Sequence, residues 1–94
     1  MIKEIGEAAM LEMAAEEASE LIQMLLKAAR IKRGENPTPM TEKEVNAKIR
    51  EEYTDFIQCA KELNLDVDWN QMEMKRKRFE QRWNARTESV NGGL

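Results

Sequence analysis

One uninterrupted helical pattern, residues 7–33, constrains this 94-residue chain more than any other feature. Its apolar residues recur at the spacing of one helix face, not in the alternation of a strand. They are Met10, Ala14, Leu21, Met24 and Ala28, flanked by Leu11, Ala18, Ile22, Leu25 and Ala29. Such a helix is ~40 Å long, whereas a compact domain of this chain length has a diameter of ~32 Å. We therefore expect a homo-oligomer, either a dimer or a tetramer, in which a second copy completes the bundle.

Two further helices are predicted after this one. Gly34 is placed to end the first helix, and the two prolines of the stretch "GENPTPM" (34–40) predict a loop. Thr41 and Glu44 form a capping-box pattern that starts the second helix. The stretch "NLDVD" (64–68) ends it, and a second capping-box pattern, Asp68 with Gln71, starts the third. Gly6 separates residues 2–5 from the first helix as a short turn of their own.

The predicted fold is all-α, an antiparallel helical bundle completed by homo-oligomerisation. Residues 1–86 form its single domain, and residues 87–94 form a loose tail because they show no periodicity. The third helix carries an aromatic face made of Trp69, Met72, Phe79 and Trp83. We interpret the two tryptophans as core or dimer contacts in preference to platforms for stacking nucleobases.

Composition excludes several classes of function. The chain has no histidine, which removes the commonest general base and most zinc sites. Its single cysteine cannot form an internal disulfide, and the N-terminus resembles no secretory signal, so we expect a cytoplasmic protein. No apolar run is long enough to span a membrane. The net charge of −3 argues against a nucleic-acid partner.

Carboxylates interrupt the apolar stripes of the first two helices. Glu17 lies at a core position of the first helix, and Glu52 lies at a core position of the second. Glu20 and Asp55 follow three residues later, on the same helix faces. If the helices are antiparallel, the two acidic pairs lie ~23 Å and ~19 Å from the connecting loop, at nearly the same level. Buried like charges need a positive partner, either a divalent cation such as Mg²⁺ or lysines of a partner chain.

The stretches "EEASELIQ" and "EEYTDF" resemble the EExxE…ExxD signature of the MazG-like, all-α nucleoside triphosphate pyrophosphohydrolases. The surrounding sequence is similar to the phage and prophage branch, and the resemblance covers roughly residues 5–83. It implies Mg²⁺, or Mn²⁺ in its place, bound by Glu17, Glu20, Glu52 and Asp55. It also implies a nucleoside triphosphate substrate that is hydrolysed to the monophosphate and pyrophosphate.

Three further residues are assigned roles in this scheme. Glu16 is the candidate general base because it lies beside the metal ligands, although Glu17 or Glu20 could serve. Lys75 and Arg78 share a face of the third helix and are candidates for phosphate binding, the alternative being a solvated basic face. The competing function is a helical oligomerisation or protein-interaction module without catalysis. A third possibility is a family member that binds the metal but has lost catalysis.

Overall fold

The computed structural model describes residues 1–35 and 39–92, and side chains within these ranges up to residue 88. In this part of the chain there are four helices and no strand. Helix α1 spans Ile2–Ile5, α2 spans Glu7–Arg33, α3 spans Glu42–Glu62 and α4 spans Trp69–Gly92. The all-α prediction is confirmed, as are the bounds of the first helix and the separate turn before it. Residues 36–38 of the predicted loop lie outside the described residues.

The ends of α2 and α3 follow from local side-chain and backbone chemistry. Gly34 has a φ of 68°, and the amides of Gly34 and Glu35 donate to carbonyls of the last turn of α2, which is the bonding pattern of a Schellman motif. Thr41 and Glu44 form the predicted capping box at the start of α3, with the Glu44 amide donating to Thr41 Oγ1 at 3.1 Å. These two signals fix where the hairpin turns.

Helices α2 and α3 pack side by side as an antiparallel hairpin, and this contact holds most of the core. Met10 and Val45 are fully buried, and Ala14, Cys59 and Ala60 are nearly so. Met10, Ala14 and Cys59 form one cluster, against which Ile2, Met13, Phe56 and Leu63 pack. The core is narrow because two helices can bury only one stripe of each other.

Helix α1 closes one end of this hairpin. It is joined to α2 through Gly6, whose φ of 89° favours glycine. The backbone amide of Ile2 donates to Glu62 at 3.2 Å, and the Ile2 side chain packs on the core cluster. Sequence analysis predicted the break at Gly6 but not this contact with the end of α3.

Helix α4 is separate from the rest of the protein. Extensive packing in the described structure is confined to α2 against α3 and α1 against α2. The aromatic face of α4 is open: Trp69 is 69% exposed, Phe79 66% and Trp83 58%. These residues are therefore not core within one chain. The molecule measures 62 × 39 × 18 Å, with a radius of gyration of 18.5 Å, well above the ~12 Å of a compact chain of this length.

Helix α4 continues past residue 86 to Gly92, so residues 87–92 of the predicted tail are helical. The Thr87 hydroxyl donates to the Trp83 carbonyl at 3.0 Å, within the helix. Between Trp69 and Gly92 the only helix breaker is the terminal glycine, so nothing stops the helix earlier. Residues 93–94 of the predicted tail lie outside the described residues.

None of the described helices combines the length and the apolar character that crossing a membrane requires.

Candidate metal centre

The predicted core stripes face each other across the hairpin. On α2 the stripe residues are Met10, Ala14, Glu17, Leu21, Met24 and Ala28, and on α3 they are Val45, Ile49, Glu52, Phe56, Ala60 and Leu63. Every one of these side chains is buried or half-buried. Glu17 and Glu52 therefore point into the contact between the two helices, as their spacing predicts.

Three carboxylates meet at the middle of the hairpin. Glu17 and Glu20 of α2 and Glu52 of α3 each place one oxygen so that the three oxygens lie within 4.8 Å of one another. We call these three residues the carboxylate cluster. Glu17 and Glu52 are half-buried, whereas Glu20 is exposed and leaves one side of the cluster open to solvent. Three convergent carboxylates with an open side can hold a cation that keeps further ligands of its own.

Two oxygens in the cluster have no hydrogen-bond partner. Glu17 Oε2 and Glu52 Oε2 are inaccessible to solvent, and no donor of the described structure reaches them. A buried carboxylate oxygen without a donor is destabilising unless a cation or proton neutralises it. Oxygen is also the ligand atom that Mg²⁺ and Mn²⁺ prefer. The donor set therefore fits a hard divalent cation.

The surroundings of the cluster are negative. Burial raises the pKa of Glu17, and the charges of Glu20, Asp55 and Glu16 raise it further. Burial also raises the pKa of Glu52, with further contributions from Glu20 and from the charges of Glu51 and Asp55. Each of these causes favours the protonated acid. A bound cation would reverse the balance by stabilising the ionised carboxylates.

Asp55 and Glu16 lie next to the cluster without joining it. The charge of Asp55 acts on both Glu17 and Glu52, but its oxygens lie outside the group of three. Asp55 is half-buried and Glu16 is exposed. Three of the four predicted ligands thus contribute convergent oxygens, and the fourth, Asp55, lies beside them. Glu16, the predicted general base, lies on the solvent-exposed side of the cluster.

A cavity of about 160 Å³ adjoins the cluster on the side of α1. Its lining residues are Met1, Met10, Met13, Glu17, Asp55, Gln58, Cys59 and Glu62. Burial raises the pKa of the Cys59 thiol, as do the charges of Glu17 and Asp55. Cys59 lies in the core cluster. The sequence did not predict this cavity, because the methionines that line it cannot be distinguished by sequence from other apolar residues.

Lys75 and Arg78 are exposed on α4. The described charges that perturb Glu17 and Glu52 are all acidic residues of α2 and α3, and no basic residue is among them. The helix that carries Lys75 and Arg78 makes no extensive packing contact with the hairpin in the described part of the chain. Within one chain, the predicted phosphate ligands and the predicted metal ligands are therefore not brought together.

No protein-family description, curated protein or solved structure matches this chain.

Proposed function

We propose that the protein is a Mg²⁺-dependent nucleoside triphosphate pyrophosphohydrolase, which converts a (d)NTP and water to a (d)NMP and pyrophosphate. The observation that carries this proposal is the pair of buried, unpartnered oxygens of Glu17 and Glu52 beside Glu20. Carboxylates placed in a hairpin core destabilise the fold unless a ligand compensates them, so their placement favours a metal-dependent function. The resemblance of "EEASELIQ" and "EEYTDF" to the MazG-like signature supports the same reaction.

In this proposal Glu17, Glu20 and Glu52 hold Mg²⁺, or Mn²⁺ in its place, and Asp55 completes the ligand set directly or through water. The bound cation supplies neutralisation of phosphate charge and activation of a water. Glu16 accepts the proton of that water from the exposed side of the cluster. Lys75 and Arg78 bind phosphate oxygens, the lysine as a point charge and the arginine through its guanidinium fork.

A homo-oligomer in the cytoplasm is part of the proposal. Alongside the stripe that faces α3, α2 carries a second apolar stripe, which consists of Leu11, Ala15, Ala18, Ile22, Leu25 and Ala29. Its spacing alternates between four and three residues, the pattern of a helix-pairing seam. Leu11, Ile22 and Leu25 are each about half exposed in the single chain. An exposed seam of this kind favours burial against a second copy, as a dimer or within a tetramer.

The test is an assay of the pure protein with each canonical and several modified (d)NTPs plus Mg²⁺, with monophosphate and pyrophosphate both measured. We expect equal amounts of the two products from at least one substrate. The matched control is the Glu17→Gln, Glu52→Gln double variant, which keeps side-chain shape and loses two charges. Release of inorganic phosphate without pyrophosphate, or equal rates in the control, would contradict the proposal.

The second candidate is a helical interaction module without catalysis. The exposed aromatic face of α4 favours it, since Trp69, Phe79 and Trp83 form an open apolar surface. Such a module gains nothing from unpartnered carboxylates in its core. Stabilisation by Mg²⁺ together with pyrophosphate release therefore separates the enzyme from the module, because the module should show neither.

A further inference from the structure

We infer that Lys27 of α2 binds the distal phosphates of the substrate, so that the phosphate chain runs from the carboxylate cluster towards the hairpin loop. The assignment rests on the proposed function for the identity of the ligand, and it adds to the site a residue of the same hairpin. Three observations carry it: the position of Lys27 along α2, the lack of an ion-pair partner among the described side chains, and the charges on the other side of the cluster.

Lys27 lies on the same side of α2 as the open side of the cluster. It follows Glu20 by seven residues, which is ~20° short of two full turns and ~10.5 Å along the helix axis. Helix side chains lean towards the N-terminus of their helix, and for Lys27 this is the direction of Glu20. Lys27 is half-buried, whereas Leu25 and Leu26 are exposed, so it lies on the side of α2 that turns towards α3. The ammonium on its flexible four-carbon stem can therefore contact a ligand beside the cluster.

The positive charge of Lys27 is not used to hold the described helices together. Its neighbours three and four residues away on α2 include no acid, so no ion pair can form along the helix. They are Gln23, Met24, Arg30 and Ile31. None of the ion pairs among the described side chains includes Lys27. The interaction of cations with the helix dipole falls off beyond the last turn, where Arg30, Lys32 and Arg33 lie. The Lys27 ammonium is thus available to bind an anion.

The acid of α3 that lies at the level of Lys27 is engaged elsewhere. Glu44 is ~12 Å closer to the loop than the carboxylate that α3 contributes to the cluster, which is nearly the level of Lys27. Its carboxylate accepts a hydrogen bond from Thr41 Oγ1 at 3.0 Å in the capping box. Lys48, on the same side of α3, pairs with Glu51 at 3.2 Å. Neither contact neutralises Lys27.

The two sides of the cluster along the hairpin differ in charge. On the side of α1, Asp55 and Glu62 line the cavity of about 160 Å³, and their carboxylates repel phosphate. On the side of the loop, Lys27 attracts it, because a lysine binds phosphate oxygens as a point charge. A phosphate chain that contacts the cluster through a cation is therefore drawn towards the loop.

The binding test uses inorganic pyrophosphate, which contains the two distal phosphates without a nucleoside. Isothermal titration calorimetry in excess Mg²⁺ measures its Kd for the wild type and for Lys27→Gln. We expect the Kd of this variant to rise about 10–100-fold, the effect of losing one charge-assisted hydrogen bond. Lys27→Arg keeps the charge and should stay within a few-fold of the wild type. Equal Kd values for the wild type and Lys27→Gln, or a wild type that does not bind pyrophosphate, would overturn the proposal.

The matched control is Lys43→Gln. Lys43 is exposed at the loop end of α3, half a turn around the helix from Glu52, and so points away from α2. Its substitution removes the same charge and should leave the Kd of pyrophosphate unchanged. An equal loss of affinity in both variants would be an effect of net charge and would contradict a specific contact. The Tm of Lys27→Gln in Mg²⁺ alone should match that of the wild type. A lower Tm, together with weak binding by Lys27→Arg, would assign Lys27 to the fold and not to the ligand.

Steady-state kinetics separate failure of this inference from failure of the proposed function. Lys27→Gln should raise KM for the triphosphate about 10–100-fold with kcat within a few-fold of the wild type, because a contact with the distal phosphates is made in the ground state and in the transition state. If the wild type hydrolyses no triphosphate, the proposed reaction is wrong, and the pyrophosphate Kd values still decide whether Lys27 binds phosphate. If the wild type is active and Lys27→Gln changes neither Kd nor KM, only the role of Lys27 is wrong.

Discussion

The residues that define this protein are acids located where apolar side chains belong. Glu17 and Glu52 replace core residues at the centre of the hairpin, and each leaves one oxygen without a partner. Their positions were predictable, because the apolar stripe fixes which residues of a helix face inward. Their distances were not predictable, since a sequence does not specify how far one helix slides along the other.

Binding of Mg²⁺ should stabilise the fold through these acids. At a concentration ~100-fold above Kd, a ligand that binds only the folded state adds ~2.7 kcal/mol, which raises Tm by about 10 °C or more in a domain of this size. Thermal melts with Mg²⁺ and with EDTA measure the shift. The Glu17→Gln, Glu52→Gln double variant should lose it, and should melt above the wild type in EDTA because repulsion and carboxylate burial are relieved. A shift that survives in the double variant would show that the ligands lie elsewhere.

The stability of the metal-free protein should depend on pH. The pKa values of Glu17 and Glu52 are raised above the ordinary value of 4.5 in the folded state. The unfolded chain therefore loses these protons first as pH rises. The stabilisation is complete below 4.5 and is lost as pH rises through the raised folded-state values. The measurement is the Tm of the wild type in EDTA minus the Tm of the Glu17→Gln, Glu52→Gln variant at the same pH. This difference should fall as pH rises from 4.5 through the raised folded-state pKa values. A relative Tm that is constant with pH would contradict the assignment of these shifts.

Glu16 should matter for the reaction and not for the metal. Glu16→Gln is expected to lower kcat by ~10²–10⁴-fold, the usual contribution of a general base. The Mg²⁺-induced rise in Tm should stay close to that of the wild type, because Glu16 lies outside the three convergent oxygens. Steady-state kinetics and thermal melts on the same preparation check both statements. If the variant keeps activity within a few-fold of the wild type, Glu16 is not the general base, and that role belongs to Glu17 or Glu20.

At the scale of the elements, the hairpin is set by its caps as well as by its stripes. Thr41→Ala removes the capping box at the start of α3, which should cost ~1 kcal/mol and lower Tm by about 4–8 °C. The matched control is Thr54→Ala, because the Thr54 hydroxyl donates to the Arg50 carbonyl inside the same helix. Alanine is the better helix former there, so Tm should stay level or rise. Equal losses in both variants would mean that the cap adds nothing specific.

Local signals predicted α2, α3 and the start of α4, where the Gln71 amide donates to Asp68, but they did not predict how far α4 extends. The glycine after α2 and the capping box of α3 each involve residues within one turn of the chain. The end of α2 and the start of α3 can therefore be predicted from the sequence alone. The end of α4 was placed at residue 86 because apolar periodicity stops, but a helix without a breaker continues on backbone propensity. The position of α4 relative to the hairpin, and so of Lys75 and Arg78 relative to the cluster, depends on the connector geometry at Asn64, which periodicity does not report.

At the scale of the whole molecule, the exposed surfaces predict association. A charge introduced into the second stripe of α2 should separate the copies, because it would be buried without a partner in the interface. Ile22→Lys is expected to shift the mass measured by light scattering at micromolar concentration towards the 10.9 kDa of one chain. The matched control is Gln23→Lys, which introduces the same positive charge one residue later, on a face of α2 away from the stripe. It should leave the mass measured by light scattering unchanged. A wild-type protein that scatters as a folded monomer would contradict the oligomer.

The separation of α4 from the hairpin has an evolutionary consequence. Because α4 shares little core with α2 and α3, most substitutions on it do not change the packing that keeps the hairpin folded. The stretch from Trp69 onward can therefore drift in sequence at little cost to stability, while the helices that hold the carboxylates stay constrained by their stripes. If Lys75 and Arg78 of α4 contact the substrate, recognition can diversify among descendants of this protein faster than its fold.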